Sequence, residues 1–173
     1  QVYDYEGALA LLKTEPGYER YDDLMALITQ YESEQNNLQE WDIQKTTHVF
    51  FHSLIADTSK AFDGDDKEKG YDMYMTTISE FNKIMESMYK RGYVLVTPHQ
   101  IARMEPNSKG KNIMTDQKIM LPKDKKAFIL SIDDVSYYQY MDGDGFALRI
   151  VLDANGKPTC EMKMDDGSIR TGD

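Results

Sequence analysis

The stretch Phe128-Ile-Leu-Ser-Ile-Asp-Asp-Val135 constrains this chain more than any other. A short apolar run rich in branched residues favours a strand buried along its length, and this one ends abruptly in two adjacent carboxylates, Asp133 and Asp134. In α/β folds chemistry collects just beyond the carboxyl ends of such strands, so a paired acid there is a candidate site. The same pair is also ordinary turn chemistry, since Asp is common where a strand hands over to a loop. The rest of the chain has to separate the two readings.

With 173 residues, 40% of them hydrophobic, the sequence has the length and composition of a globular domain, alone or with an appendage. Thirty acidic residues against twenty basic ones give a formal charge of -10, which repels phosphate backbones and anionic lipid surfaces, so nucleic acid is not an expected partner. A single cysteine, Cys160, cannot form an internal disulfide and reads as a buried thiol. No run of eighteen apolar residues occurs, and the first residues lack the basic and apolar regions of a leader. The expectation is a chain that does not span a membrane and whose leader, if it had one, has been removed.

Residues 4 to 39 read as two helices joined by a turn. Tyr5, Ala8, Leu9 and Leu12 fall at helical spacing, Glu15-Pro16-Gly17 breaks the run, and Leu24, Leu27, Ile28, Tyr31 and Leu38 resume it. From Thr47 the period changes, and Val49-Phe50-Phe51 with Leu54 and Ile55 predicts a buried strand flanked by His48 and His52. Four apart on a strand, those histidines would share one face, where two imidazoles can serve a metal. His52 alone beside a site is the plainer reading. Residues 57 to 70 predict a solvated loop: Asp63-Gly-Asp65-Asp66 opens like a calcium loop, but Lys67 and the lack of a closing glutamate break the pattern.

Thr77-Ile-Ser-Glu80 is a capping box, and Ile78, Phe81, Ile84, Met85 and Met88 give the helix behind it an apolar stripe that ends at Arg91-Gly92. Tyr93-Val-Leu-Val-Thr97 predicts a strand, which together with the preceding strand and helix indicates a parallel crossover unit. Residues 105 to 118 predict a loop. After the acid pair, Tyr137, Tyr138 and Tyr140 can line a sugar-binding groove or fill a core. Strand-like segments Phe146 to Leu152 and Thr159 to Met164 surround the turn signal Asp153-Ala-Asn-Gly156, predicting an antiparallel hairpin, with no element expected after it.

The order of these parts resembles the polysaccharide deacetylase family. Phe51-His52 is similar to the aromatic-His pair that ends the family's first strand. Glu80-Phe81 through Gly92-Tyr93-Val94-Leu95-Val96 resembles its following helix and strand, and Ser131-Ile132-Asp133-Asp134-Val135 resembles its Thr-Phe-Asp-Asp-Gly strand end. The likeness covers about residues 47 to 141. Phe51-His52-Ser53-Leu54-Ile55, Ala61-Phe62-Asp63 and Asp133 to Tyr138 together resemble a branch found in surface-attached or secreted proteins of Gram-positive gut bacteria, which carry a helical region ahead of the deacetylase domain.

The resemblance implies an α/β fold: residues 1–45 a helical hairpin arm, residues 46–173 the first, incomplete part of a distorted (β/α) barrel with an antiparallel hairpin insertion near its end. It implies removal of acetyl groups from a cell-wall or extracellular polysaccharide, outside the cell or at its surface, with Asp133 as the general base and Asp134 as ligand to a divalent metal, zinc above others. His52, Tyr137 and Tyr138 would be neighbours of that site. The family's two further histidine ligands have no counterpart after Asp134, Val135 stands where the family has glycine and Ser131 where it has threonine. The expectation is therefore a fragment of a longer protein, inactive alone, that self-associates or retains its missing part through an open sheet edge. The alternative is a non-catalytic surface module that binds glycan or protein on the same scaffold.

Overall fold

A computed structural model describes residues 3–134 and 137–172. In chain order, helices α1 (Tyr5–Leu12) and α2 (Asp22–Asn36) lead to strands β1 (Gln39–Glu40) and β2 (Thr47–Phe51). Helices α3 (Thr58–Ala61), α4 (Glu68–Tyr74) and α5 (Ile78–Lys90) follow, then β3 (Tyr93–Leu95), the short α6 (Pro98–Ile101), β4 (Ala102–Pro106), β5 (Asn112–Asp116), β6 (Met120–Leu121) and β7 (Lys126–Ile132). Strands β8 (Arg149–Leu152), β9 (Pro158–Lys163) and β10 (Ile169–Thr171) complete the order. Helices and sheets are thus mixed, as an α/β chain requires, and among the described residues the sheets have two or three strands and none closes into a barrel. No described helix is long and apolar enough to cross a membrane.

Two compact units make up the chain: residues 1–48 with 91–129, and residues 49–90 with 130–173. In the first unit the helical hairpin forms as its sequence predicts. Asp4 accepts the Gly7 N–H and caps α1, Gly17 takes the left-handed conformation at the turn (φ 73°), and the two helices are joined by the Tyr5–Tyr31 ring contact and the Lys13–Glu32 ion pair at 3.0 Å. The hairpin is continuous with the strands of its unit: β1 pairs antiparallel with β6, and Trp41 donates its N–H to Ile119 O. The core gathers Val94, Val96, Ile119, Leu121 and Ala127, with Trp41 and Ile129 packed against it. Strand β3 runs parallel to β7, Tyr93 opposite Lys126 and Leu95 opposite Phe128. The predicted loop at 105 to 118 is largely an antiparallel ribbon of β4 and β5, closed by Asn107, whose side chain accepts the N–H groups of Lys109 and Lys111.

The second unit has its own core of Ile55, Ala61, Tyr71, Met141 and Phe146. The capping box before α5 is present in both directions, Thr77 N–H donating to Glu80 and Glu80 N–H to the Thr77 hydroxyl. Phe81 packs edge-on against Phe51 at 5.0 Å, yet no residue of α5 is fully buried, so its apolar stripe is only half covered. Strand β2 stops at Phe51, short of the predicted Ile55, which instead bridges Thr77. The polar segment 57 to 70 is partly helical because Asp57 caps α3 through Ser59 N–H. The expected hairpin around Asp153 is β8 and β9, and β10 adds a third antiparallel strand that was not expected, turned back at Gly167 (φ 79°) with Asp166 accepting the Ser168 N–H.

The loop before β8 is fastened by two devices. Gly145 offers its carbonyl to both Ala56 N–H and Asp57 N–H, and a Cβ at that position would stand 2.1 Å from Asp57 O. With φ at 82°, only glycine fits without displacement. Asp144 accepts from Lys67 Nζ at 2.6 Å and from the Tyr71 hydroxyl at 2.7 Å, and the same ammonium donates to Tyr140 O. Burial by itself would raise the Asp144 carboxyl, but the Lys67 ammonium and Tyr71 hydroxyl outweigh it and hold it below the ordinary carboxylate value. Its carboxylate in turn raises Lys67.

Gly145→Ala is expected to lower stability by about 2 kcal/mol or more in urea unfolding followed by circular dichroism, and Gly143→Ala, where no atom lies near, by less. A depressed carboxyl stabilises above its unfolded pKa and loses that contribution as pH falls through the folded one; a raised ammonium contributes below its unfolded pKa and loses it as pH rises through the folded one. The Asp144–Lys67 bridge should therefore act fully from about pH 4 to about pH 10. Lowering pH from neutrality to below that window should reduce the thermal midpoint more in the parent than in Asp144→Asn.

Candidate functional site

The elements that carry the five sequence-predicted residues meet in the second unit, at the carboxyl ends of β2 and β7. Strand β7 is the middle member of the order β2-β7-β3, and its last pairing contact is the Asp133 N–H donated to Phe51 O at 2.7 Å. That bond sets the two strand ends side by side and places His52, the residue after Phe51, beside the acid pair. Asp133 and Asp134 are both exposed, as carboxylates must be when no ion pair holds them in an interior.

The two acids differ in backbone and in partners. Asp134 lies in the left-handed region at φ 51°, a conformation that costs most residues free energy and that Asp tolerates better than most. Both of its carboxylate oxygens accept from the Tyr138 hydroxyl, at 3.0 and 2.9 Å. Tyr138 stacks on Tyr140 with ring centroids 5.6 Å apart and planes 13° from parallel. The substitution singled out at Val135 falls outside the described residues. Ser131, where the family pattern has threonine, sits within β7.

Below the strand ends an apolar cleft of about 680 Å³ opens among Phe51, Phe81, Leu130, Ile132, Ile150 and Met162, with His52, Ser53, Tyr137 and Cys160 as polar points in its lining. The phenol of Tyr137 meets Cys160 Sγ at 3.8 Å and is hydrogen-bonded with Ser53. Burial first, and the thiol second, push that phenol up to about 12, so it remains a protonated donor under any ordinary condition. The His52 ring meets Phe50 edge-on at 6.5 Å. Sequence reasoning finds His52, Tyr137, Tyr138 and Tyr140 but misses Ser53 and Cys160 as parts of the site. The i, i+2 spacing of Tyr138 and Tyr140 is a signal for the ring pair; nothing in the sequence joins Cys160 on β9 to Tyr137.

The described residues do not assemble a ligand set for a metal ion: no three His, Cys, Asp or Glu side chains among them converge. His48 lies within β2 and His52 just past its end. Asp134 has one carboxylate to offer and it is already bound by Tyr138. What the arrangement can do without a metal is accept protons and hydrogen bonds at Asp133, hold an aromatic surface beside it, and offer an adjacent apolar cleft to a ligand. No family model, curated protein or solved structure matches the chain.

Removing the Tyr138 hydroxyl and the Asp134 charge separately and together measures their contact. In a double-mutant cycle of Tyr138→Phe and Asp134→Asn, unfolding free energies are expected to be coupled by on the order of 0.5 kcal/mol, as suits an exposed pair. Strict additivity would mean that the hydroxyl and carboxylate do not meet in solution.

Proposed function

We propose that residues 47–141 form the opening part of a polysaccharide-deacetylase-like (β/α) domain, and that Asp133 is its general base in removing acetyl groups from a cell-wall or extracellular glycan. One observation carries the reading: the Asp133 N–H to Phe51 O bond brings together the two segments, Phe51-His52 and Asp133-Asp134, on which the resemblance rests. A base must reach the proton it takes, and an exposed carboxylate at a strand end, beside a cleft and an aromatic pair, meets that requirement. His52 and Tyr137 are positioned to border the bound substrate, and the protonated Tyr137 phenol serves as a donor. The extracellular or surface setting follows from the polymer that such a protein would act on.

Zinc belongs to this reading only with ligands other than those described here, and Asp134 would have to exchange Tyr138 for the ion. For that reason no step of the reaction is assigned to it. The same observation favours a second reading, a non-catalytic module that binds glycan at this surface while Asp134 and Tyr138 stay latched.

The test is acetate release from N-acetylated chitooligosaccharides or peptidoglycan by the natural protein that carries this chain, with and without added zinc. Asp133→Asn is expected to lower the rate by about 10²- to 10⁴-fold with folding intact, the usual contribution of a general base. Equal turnover by the variant would remove the role given to Asp133, and binding without any release would favour the second reading.

A further inference from the structure

We infer that Tyr138 and Tyr140 form a stacking platform for one pyranose ring of a neutral glycan, next to Asp133; the inference rests on the glycan reading of this site and adds the subsite that would grip the chain. Both rings belong to a short segment whose position is set from several directions. Gln139–Met141 forms a single 3-10 turn, Met141 is 2% exposed in the core, and Lys67 Nζ holds the Tyr140 carbonyl at 3.0 Å. The Tyr138 hydroxyl is tied to both oxygens of Asp134, which fixes the direction of its ring. A platform built this way is ordered before a ligand arrives, so little side-chain entropy is lost on binding.

Stacking covers one face of each ring, yet Tyr140 remains 55% exposed and Tyr138 44%, so ring surface is left facing solvent. Apolar ring surface held rigid in water is an unfavourable arrangement by itself, and a ligand with a flat apolar face recovers that free energy. The neighbouring groups narrow the ligand further. Ionised carboxylates only accept hydrogen bonds, so the ligand must bring donors, and a chain with formal charge -10 disfavours a phosphate-bearing one. A pyranose combines a face of C–H groups with a rim of hydroxyl donors and no charge.

A cation is the competing occupant, since it too is drawn to ring faces and carboxylates. Its recognition favours rings set around it as walls of a cage, whereas these rings are stacked 13° from parallel, so each leaves only a single flat outer face. The geometry therefore selects a flat neutral ring over a point charge.

Calorimetric titration of the 173-residue chain with chitohexaose, and separately with tetramethylammonium, tests this. The oligosaccharide is expected to bind, Tyr140→Ala to weaken it by about tenfold or more, and Tyr140→Phe to stay within about twofold of the parent, because the ring and not the hydroxyl makes the contact. Tyr140→Phe also separates loss of the ring from loss of folding. Three results overturn the platform: no binding of chitohexaose, undiminished binding by Tyr140→Ala, or preference for tetramethylammonium. The readout is binding without turnover, so it fails independently of the acetate assay. Tyr140-dependent binding with no acetate release keeps the platform and removes the chemistry, and acetate release that ignores Tyr140 does the reverse.

Discussion

Asp133 gives its backbone N–H to the carbonyl of Phe51, and the geometry of the candidate site follows from the register which that bond closes. The register is set by burial: Ala127 and Phe128 are 0% and 6% exposed, while Ile132 at the far end is 60% exposed. Adjacent Ala127 and Phe128 face opposite sides and both are buried, so a slip of one residue would exchange a small side chain for a large one on each side and misfit both. His52, Ser53 and the mouth of the cleft take their places from the other partner in the bond.

The adjacent acids are not equivalent. Asp133 is anchored through its backbone and keeps an exposed side chain, whereas Asp134 is engaged through its side chain and stands on an unusual backbone. Engagement by a hydroxyl is weak beside coordination of a divalent ion, so the latch does not forbid a ligand role; it means that the role requires a rearrangement. The catalytic and the purely binding readings share every atom of this site and differ in whether that rearrangement occurs.

Local chemistry made much of this legible. The capping box of α5, the Pro-Gly break between α1 and α2, and the Asp153 turn each rest on residues within four positions of one another, and each formed as their spacing predicts. The β4–β5 ribbon was not legible because its β-branched alternation is confined to Ile113 and Thr115 on one strand, and its closing turn spends five residues about Asn107. Three-residue β10 is too short to carry a period. At the site, the acid pair and His52 could be read from the strand pattern, while Cys160 and Ser53 join Tyr137 through tertiary packing that no local rule encodes. The long-range companions of Asp144, Lys67 and Tyr71, were hidden for the same reason.

The left-handed backbone at position 134 has a consequence for how relatives of this chain should be compared. At φ 51°, glycine, asparagine and aspartate are the residues that fit with least strain, so selection for the turn alone would confine the position to a small alphabet. An acid retained there across divergent sequences would then carry little information about metal chemistry, because the geometry already explains it. Position 133 is under no such backbone constraint, and persistence of aspartate at that site is the evolutionary signal that speaks for function.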